Sequence, residues 1–147
     1  MTRAPRGVIP PDVAQRGIEA LQKAVAPVKG VQRALLLSED GFEVASWQRE
    51  NAAPMQSHTL AAMASSLMAM AAAVGREIDF RNCRRLTFEA DGGTVTLQAI
   101  QAKFPCILCL VMDADAVLGR TLWAGAEVAQ MMGQNTPADR QAVRQPA

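Results

Sequence analysis

Residues 60–74 read LAAMASSLMAMAAAV. As a helix, this stretch repeats larger apolar side chains at alternating steps of three and four residues, and these form one stripe: Leu60, Met63, Leu67, Met70 and Val74. Alanine fills most of the remaining circumference, which only Ser65 and Ser66 interrupt. A helix that is apolar on every side is buried on every side.

Three environments can bury such a helix. A bilayer is excluded by length, because the fifteen residues 60–74 at about 1.5 Å each make roughly 22 Å, and the hydrocarbon core is roughly 30 Å thick. We therefore predict no membrane insertion. A chain of 147 residues also has little room to surround a helix with its own protein.

A second copy of the chain is the remaining environment. Small side chains let helix axes approach closely, so we predict that the stripe beginning at Leu60 packs on the chain's own sheet. A second stripe of smaller side chains is then predicted to face another subunit: Ala61, Ser65, Met68 and Ala72. The alternative is an alanine-rich core helix without a partner.

Composition limits the classes of partner. Fifteen basic residues against fourteen acidic ones leave a formal charge of +1, which gives no strong field to attract nucleic acid. The three cysteines are an odd number and lie on predicted strands, which fits reduced thiols better than a disulfide framework. Residues 1–12 contain two arginines with no apolar segment after them, so we expect no secretion signal. We predict a cytoplasmic protein with no nucleic-acid partner.

The chain before the alanine-rich stretch divides into a helix and two strands. A first helix is predicted from Asp12, which can cap it, to about residue 30, where a glycine ends it. Two apolar runs follow, at residues 31–37 and 42–47. They flank the dipeptide Asp40-Gly41, which is typical of a hairpin turn because glycine accepts the positive backbone angle the turn requires.

The middle helix is predicted to begin near Pro54 and to run to about Glu77. Three strands follow, at residues 84–90, 94–100 and 106–112. The last of them, CILCLVM, is apolar on both faces, which is typical of a strand in the middle of a sheet. Asp113 or Asp115 is predicted to cap a final helix that ends at Gly133.

The predicted fold class is therefore α+β. The order is helix, strand, strand, helix, strand, strand, strand, helix, which forms a five-stranded antiparallel sheet with helices on both faces. This domain covers residues 11–133. Residues 1–10 are predicted to be a flexible tail and residues 134–147 a disordered one, because both contain prolines and almost no periodic apolar pattern.

Three stretches resemble the roadblock domain family, which is named for a dynein light chain and is related to longin-type domains. They are GVQRALLLSEDGFEVASW at residues 30–47, LAAMASSLMAMAAAVGREI at 60–78 and ILCLVMDADAVLGRTLW at 107–123. Members commonly read G-V-x-x-A-x-x-x-S-x-D-G-x-x-x-A-S in the first stretch. Eight residues of this chain fill those places: Gly30, Val31, Ala34, Ser38, Asp40, Gly41, Ala45 and Ser46. The resemblance covers roughly residues 12–133.

The resemblance implies a homodimer in which the middle helices lie side by side and the third strands pair edge to edge. Bacterial and archaeal members of the family often act with a small Ras-like GTPase, so it also implies such a partner. The residues predicted to form the dimer or partner interface are Leu60, Ala61, Ala64, Ser65, Met68, Ala72, Arg85, Thr87 and Glu89.

The side chains that carry chemistry point away from catalysis. His58 is the only histidine, so a Ser-His-Asp triad has no other histidine to use. For the same reason no ordinary zinc site is expected. Cys106 and Cys109 have an odd spacing on a predicted strand, which sends the two thiols to opposite faces of the sheet. They can neither share a metal nor form a bridge there, and Cys83 is expected to be a lone thiol. We predict no catalytic residue, no metal and no cofactor.

A nucleotide site is also not predicted. Residues 91–93 (DGG) form a turn that lacks the lysine and the serine or threonine of a phosphate loop. A basic cluster near the end of the middle helix could bring an arginine to a partner's phosphates, but a solvated helix end explains it as well: Arg76, Arg81, Arg84 and Arg85.

Three functions fit these observations. The leading hypothesis is a non-enzymatic homodimer that binds a small Ras-like GTPase across its paired middle helices and changes its GTP hydrolysis or location. The second is a structural adaptor that joins larger proteins without a GTPase. The third, a sensor domain that holds a small ligand, is less favoured because no polar cluster converges on a pocket.

Overall fold

The computed structural model describes residues 8–134. Most of both predicted tails lies outside the described residues, and residues 8–10 carry no helix or strand. The elements follow the predicted order, so the predicted fold class is confirmed. They are α1 (Pro11–Ala20, continued by a π-helical turn, Leu21–Val25), β1 (Val31–Ser38), β2 (Glu43–Gln48), α2 (Ser57–Glu77), β3 (Arg85–Ala90), β4 (Gly93–Ile100), β5 (Cys106–Met112) and α3 (Leu118–Met131).

The five strands form one antiparallel sheet in the order β2-β1-β5-β4-β3. The last strand in the chain, β5, therefore lies at the centre, as its unbroken apolar sequence predicts, and only Val111 in it is less than fully buried. The strands β2 and β3 form the two edges. The edge that β3 provides is the one that the interface prediction requires.

Two glycines make connections that other residues would strain. Gly41 has φ +89° in the turn between β1 and β2, where Ser38 N donates to Phe42 O at 2.8 Å. Gly30 has φ +91° before β1, and a Cβ atom there would lie 2.5 Å from the backbone of Ala116. The hairpin predicted from Asp40-Gly41 is confirmed.

Two apolar layers cover the sheet. The helices α1 and α3 pack on one face, over a buried cluster that includes Leu21, Val25, Leu36, Leu108 and Val128. The helix α2 packs on the other face, over Leu35, Leu37, Leu97 and Cys109. Leucines of β1 alternate between the two layers because successive side chains of a strand point to opposite faces.

The length of α2 corrects one prediction. The helix has 21 residues, from Ser57 to Glu77, and is about 31 Å long, so it is not too short to cross a bilayer. Among residues 8–134 it is the one helix that is long and apolar enough to do so, by length and composition only. The argument from length therefore fails. The absence of membrane insertion stays a prediction.

The predicted N-terminal caps of the first and last helices are wrong, whereas Gly133 lies just past the end of α3 with φ +100°, as predicted. Pro10 stands at the N-cap of α1, and Asp12 lies inside the first turn, where it pairs with Arg16 at 3.6 Å. Asp113 does not cap α3, because that helix begins five residues later. Its carboxylate accepts hydrogen bonds from Asp115 N at 2.8 Å and from Gln32 Nε2 at 2.6 Å, which ties the turn after β5 to β1.

Candidate interaction surface

The helix α2 lies on the sheet with the opposite orientation from the one predicted. Ala61, Ala64 and Met68 are buried against the sheet, with exposed fractions of 0%, 1% and 7%. Their assignment to a subunit interface is therefore wrong. The physical reason is that alanine lets the helix axis approach the strands closely, whereas larger side chains on the same face would hold it away.

Two more residues of the predicted small stripe also face the chain itself. Ser65 Oγ donates to the main-chain carbonyl of Glu39 at 2.6 Å, which fastens α2 to the turn between β1 and β2. Ala72 is half-buried on the same side of the helix, near the end of the sheet. Leu60 is half-buried and packs against the sheet cluster, which agrees with its predicted place on the sheet.

The other large side chains of α2 point away from the sheet. We call this set the outer α2 face: Met63, Leu67, Met70 and Val74. Met63, Met70 and Val74 are each more than half exposed, and Leu67 is 37% exposed. The prediction that these residues pack on the sheet is wrong. The spacing of three and four residues found the stripe but not the direction in which it points.

The edge strand β3 adjoins α2 and is exposed along most of its length. Leu86 is the residue of β3 that packs under α2, so Phe88, two positions on, points to the same side of the sheet. The predicted interface residues Arg85, Thr87 and Glu89 alternate to the other side. Phe88 is 44% exposed and was missed by sequence reasoning, although its alternation with Leu86 was visible.

The segment after α2 also exposes large apolar side chains. Ile78 and Phe80 are both more than half exposed. The backbone there is tightly held, because Phe80 N donates to Gly75 O at 2.8 Å. Asp79 and Asn82 adopt left-handed φ angles of 61° and 58°, which these two residue types tolerate better than most.

The cysteines are placed as the sequence predicts. Cys106 belongs to the layer under α1 and α3, and Cys109 to the layer under α2, so the two thiols lie on opposite faces of the sheet. Burial raises the pKa of both thiols to about 12, with a smaller contribution from Glu39 at Cys106. Neither forms a reactive thiolate at neutral pH. His58 is exposed in the first turn of α2.

The described part of the chain holds no group of three or more His, Cys, Asp or Glu side chains arranged to bind a metal ion. Two surfaces of the described residues are candidates for contacts with other molecules. One is the outer α2 face with the neighbouring edge of β3, and the other is a groove beneath the C-terminal half of α2, where Arg76 and Arg81 lie. Both features suit contacts with other molecules.

Comparison with known proteins agrees with this architecture. The family model for the Roadblock/LC7 domain matches residues 17–112. No curated protein matches the chain. Among solved structures, the gliding protein MglB of Thermus thermophilus superposes with a TM-score of 0.75 at 21% identity, over 88% of this chain and 95% of that one.

Two further structures are similar. An MglB described with a tetrameric arrangement gives a TM-score of 0.77 at 20% identity, over 95% of this chain and 99% of that one. A Roadblock/LC7 domain from Streptomyces avermitilis gives 0.63 at 22% identity, over 78% and 90%. At sequence identities of 20–22%, these similarities show a shared fold alone.

Proposed function

The chain belongs to the Roadblock/LC7 domain family, and from this premise we propose that it is a non-enzymatic homodimer that binds and regulates a small Ras-like GTPase. The single observation that carries the proposal is the exposed outer α2 face. Monomeric soluble proteins rarely expose a contiguous apolar patch of this kind without a binding role.

The outer α2 face is suited to pairing with its own copy. Its four side chains lie along one line of the helix, within roughly 60° of one another when viewed down the axis, so two α2 helices can pack side by side. The two methionines among them have flexible, polarisable side chains that adapt to a partner surface. Burying this stripe would remove the largest apolar area that α2 exposes.

The edge of β3 supplies a second contact in the same dimer. Its outer backbone groups have no strand beside them among the described residues, which makes the edge a template for pairing with another strand. If two copies pair antiparallel about Thr87, Arg85 lies opposite the partner's Glu89 and Glu89 opposite the partner's Arg85. This register places opposite charges across the interface on both sides of its centre.

The GTPase is proposed to lie across the two paired α2 helices. The chain's own residues offer no nucleotide-binding loop, so the nucleotide belongs to the partner. In this proposal the dimer holds the GTPase's residues in place and supplies no chemistry itself. A cytoplasmic location remains part of the proposal, since a GTPase of this type works on cytoplasmic nucleotide pools.

Light scattering tests both parts. We expect a mass near twice 15.7 kDa for the protein alone, and a further increase only when a Ras-like GTPase from the same genome is added in its GTP form. Met70→Asp should give a folded monomer, because Met70 is exposed in the single chain. The matched control is Val117→Asp, which replaces an exposed apolar residue on the opposite side of the sheet and should leave the dimer intact.

The possible outcomes test the dimer interface and the regulatory role separately. A wild-type monomer, or a dimer that Met70→Asp leaves unchanged, contradicts the proposed interface. A dimer that gains no mass with either nucleotide form of the GTPase contradicts the regulatory role and leaves the structural adaptor as the function of this family member.

A further inference from the structure

We propose that the groove beneath the C-terminal half of α2 binds an extended acidic segment of a partner protein, with an apolar side chain on the groove floor and carboxylates at Arg76 and Arg81. We call it the α2 groove, and define it by its floor and rim residues: Ala72, Ala99, Ile107, Arg76, Phe80 and Arg81. This binding site goes beyond the proposed dimer and GTPase partner and does not depend on either.

The groove lies where the C-terminal half of α2 no longer packs closely on the sheet. No residue of α2 after Met68 is fully buried, so the last turns extend beyond the packed core. The space left over Ala99 and Ile107 has a volume of about 510 Å³, which is within the range of ligand-binding clefts.

One rim of the groove carries an exposed aromatic ring. Phe80 is 70% exposed, yet its backbone is fixed by the hydrogen bond from Phe80 N to Gly75 O and by the left-handed residues on either side of it. At Gly75, a Cβ atom would lie 3.1 Å from Phe80 O, so the turn is closely packed. Phenylalanine is among the aromatic residues enriched at protein–protein interfaces, so an exposed ring on a fixed backbone beside a cleft suits a binding site.

The charges around the groove select the occupant. Arg76 and Arg81 line it, and within residues 8–134 neither forms an ion pair with a carboxylate. Glu39 lies on the opposite side, in the turn between β1 and β2. Two cations against one carboxylate leave the groove positive, which favours an acidic occupant over a basic one. Guanidinium groups also bind carboxylates through paired hydrogen bonds.

The α2 groove is separate from the outer α2 face. Ala72 lies roughly half a turn around the helix from Met70 and from Val74, since each residue advances the helix by about 100°. An occupant of the groove therefore leaves the outer α2 face free. The two surfaces can be tested independently in the same protein.

Fluorescence polarisation with two labelled peptides tests the proposal in the full-length protein. The first probe has the sequence EDLEDLE, and the second, KKLKKLK, keeps its leucines and reverses its charge. We expect the acidic probe to bind and the basic probe not to bind at the same concentration. Ala72→Phe, which extends a ring from α2 into the groove, should weaken binding of the acidic probe by about tenfold or more.

Charge reversal provides the sharper test. The double variant Arg76→Glu with Arg81→Glu should lose the acidic probe and gain the basic one. Arg120→Glu is the matched control, because Arg120 is exposed on α3, on the other side of the sheet, and changes the net charge by the same amount per residue. It should leave binding of the acidic probe unchanged within about twofold.

Three results of the peptide assays would overturn the proposal. They are equal binding of both probes, an effect of Arg120→Glu as large as that of the double variant, or no binding of either probe to the wild type. Binding of decanoate with the same arginine dependence, without binding of the peptide, would also overturn it in favour of a small amphiphilic acid. Light scattering on the same variants reports the dimer separately, so a failure here is distinguishable from a failure of the proposed function.

Discussion

The side-chain amide of Gln98 donates a hydrogen bond to the main-chain carbonyl of Gly125 at 3.2 Å, across the buried contact between β4 and α3. Gln98 is a buried polar residue, so this bond satisfies a group that would otherwise cost free energy. It also explains why a glycine stands in the middle of α3. A Cβ atom at Gly125 would collide with Gln98 Oε1.

Gly125→Ala is therefore expected to destabilise the protein, although alanine has the higher helix propensity. The free energy of unfolding should fall by about 1–3 kcal/mol, because the helix must move away from β4 or the amide must lose its bond. Gly119→Ala is the control in the same helix, with nothing within 4 Å of the new methyl group. It should be neutral or slightly stabilising, and urea unfolding curves of equal midpoint for the two variants would contradict this account.

Arg49→Ala should also lower the free energy of unfolding, by about 1–3 kcal/mol. Its guanidinium group donates to three carbonyls after α1, of Val31 at 2.9 Å, Val28 at 3.0 Å and Ala26 at 3.4 Å, and lies 5.0 Å from the centre of the Trp47 ring. Arg49→Lys should recover only part of the loss, because an ammonium group cannot reach all three acceptors from one position.

Thermal or urea unfolding measures that effect. Arg33→Ala is the comparison, since Arg33 makes one exposed hydrogen bond, to Gln48, and should cost less than about 0.5 kcal/mol. Equal stability of Arg49→Lys and the wild type would show that charge alone, rather than the three-way contact, matters.

Alkaline pH should destabilise the fold through its two buried thiols. Burial raises the pKa of Cys106 and Cys109 from the ordinary value near 9 to about 12, so the unfolded chain loses these protons first. The stability that the neutral thiols provide is complete below pH 9 and is lost between pH 9 and pH 12, at up to about 1.4 kcal/mol per pH unit for each thiol. Urea midpoints at pH 8 and pH 10 measure the loss. The double variant Cys106→Ala with Cys109→Ala should show a smaller fall, and an identical fall would assign it to other groups.

The order of elements could be predicted from the sequence because it depends on local signals. Asp40-Gly41 favours a turn wherever it occurs between two apolar runs, and the unbroken apolar strand at residues 106–112 has to lie in mid-sheet. Even the opposite placement of Cys106 and Cys109 follows from the two-residue period of a strand. None of these inferences requires knowledge of how one element packs on another.

The orientation of α2 could not be predicted in the same way. An amphipathic helix shows by its polar side which face is buried, but α2 has alanine or methionine on almost every side. What decides the orientation is the close approach that Ala61 and Ala64 allow, and this depends on the shape of the sheet. The α2 groove could not be predicted either, because it depends on where α2 stops packing closely on the sheet.

This orientation predicts opposite results for two neighbouring methionines. Met68→Asp places a charge in the layer between α2 and the sheet, so we expect unfolding or a large loss of stability, of about 3 kcal/mol or more. Met70→Asp exposes its carboxylate to water and should leave the circular dichroism spectrum of the fold intact. If Met70→Asp unfolds the protein and Met68→Asp does not, the outer α2 face has been assigned to the wrong side.

Charge exchange on β3 tests the register of the proposed dimer. Pairing about Thr87 sets Arg85 opposite the partner's Glu89 twice in each dimer, so Glu89→Arg alone places like charges across the interface at both positions. Each opposed pair contributes about 0.2–1 kcal/mol, and reversing two of them should raise the dissociation constant of the dimer by about tenfold. Arg85→Glu alone should also raise the dissociation constant, although Arg85 has contacts within its own chain as well.

The double variant Arg85→Glu with Glu89→Arg restores opposite charges in the exchanged order and should recover much of the wild-type affinity in analytical ultracentrifugation. Failure of the double variant to recover, with both single variants weakened, would show that the strands pair in another register or that each side chain acts within its own subunit.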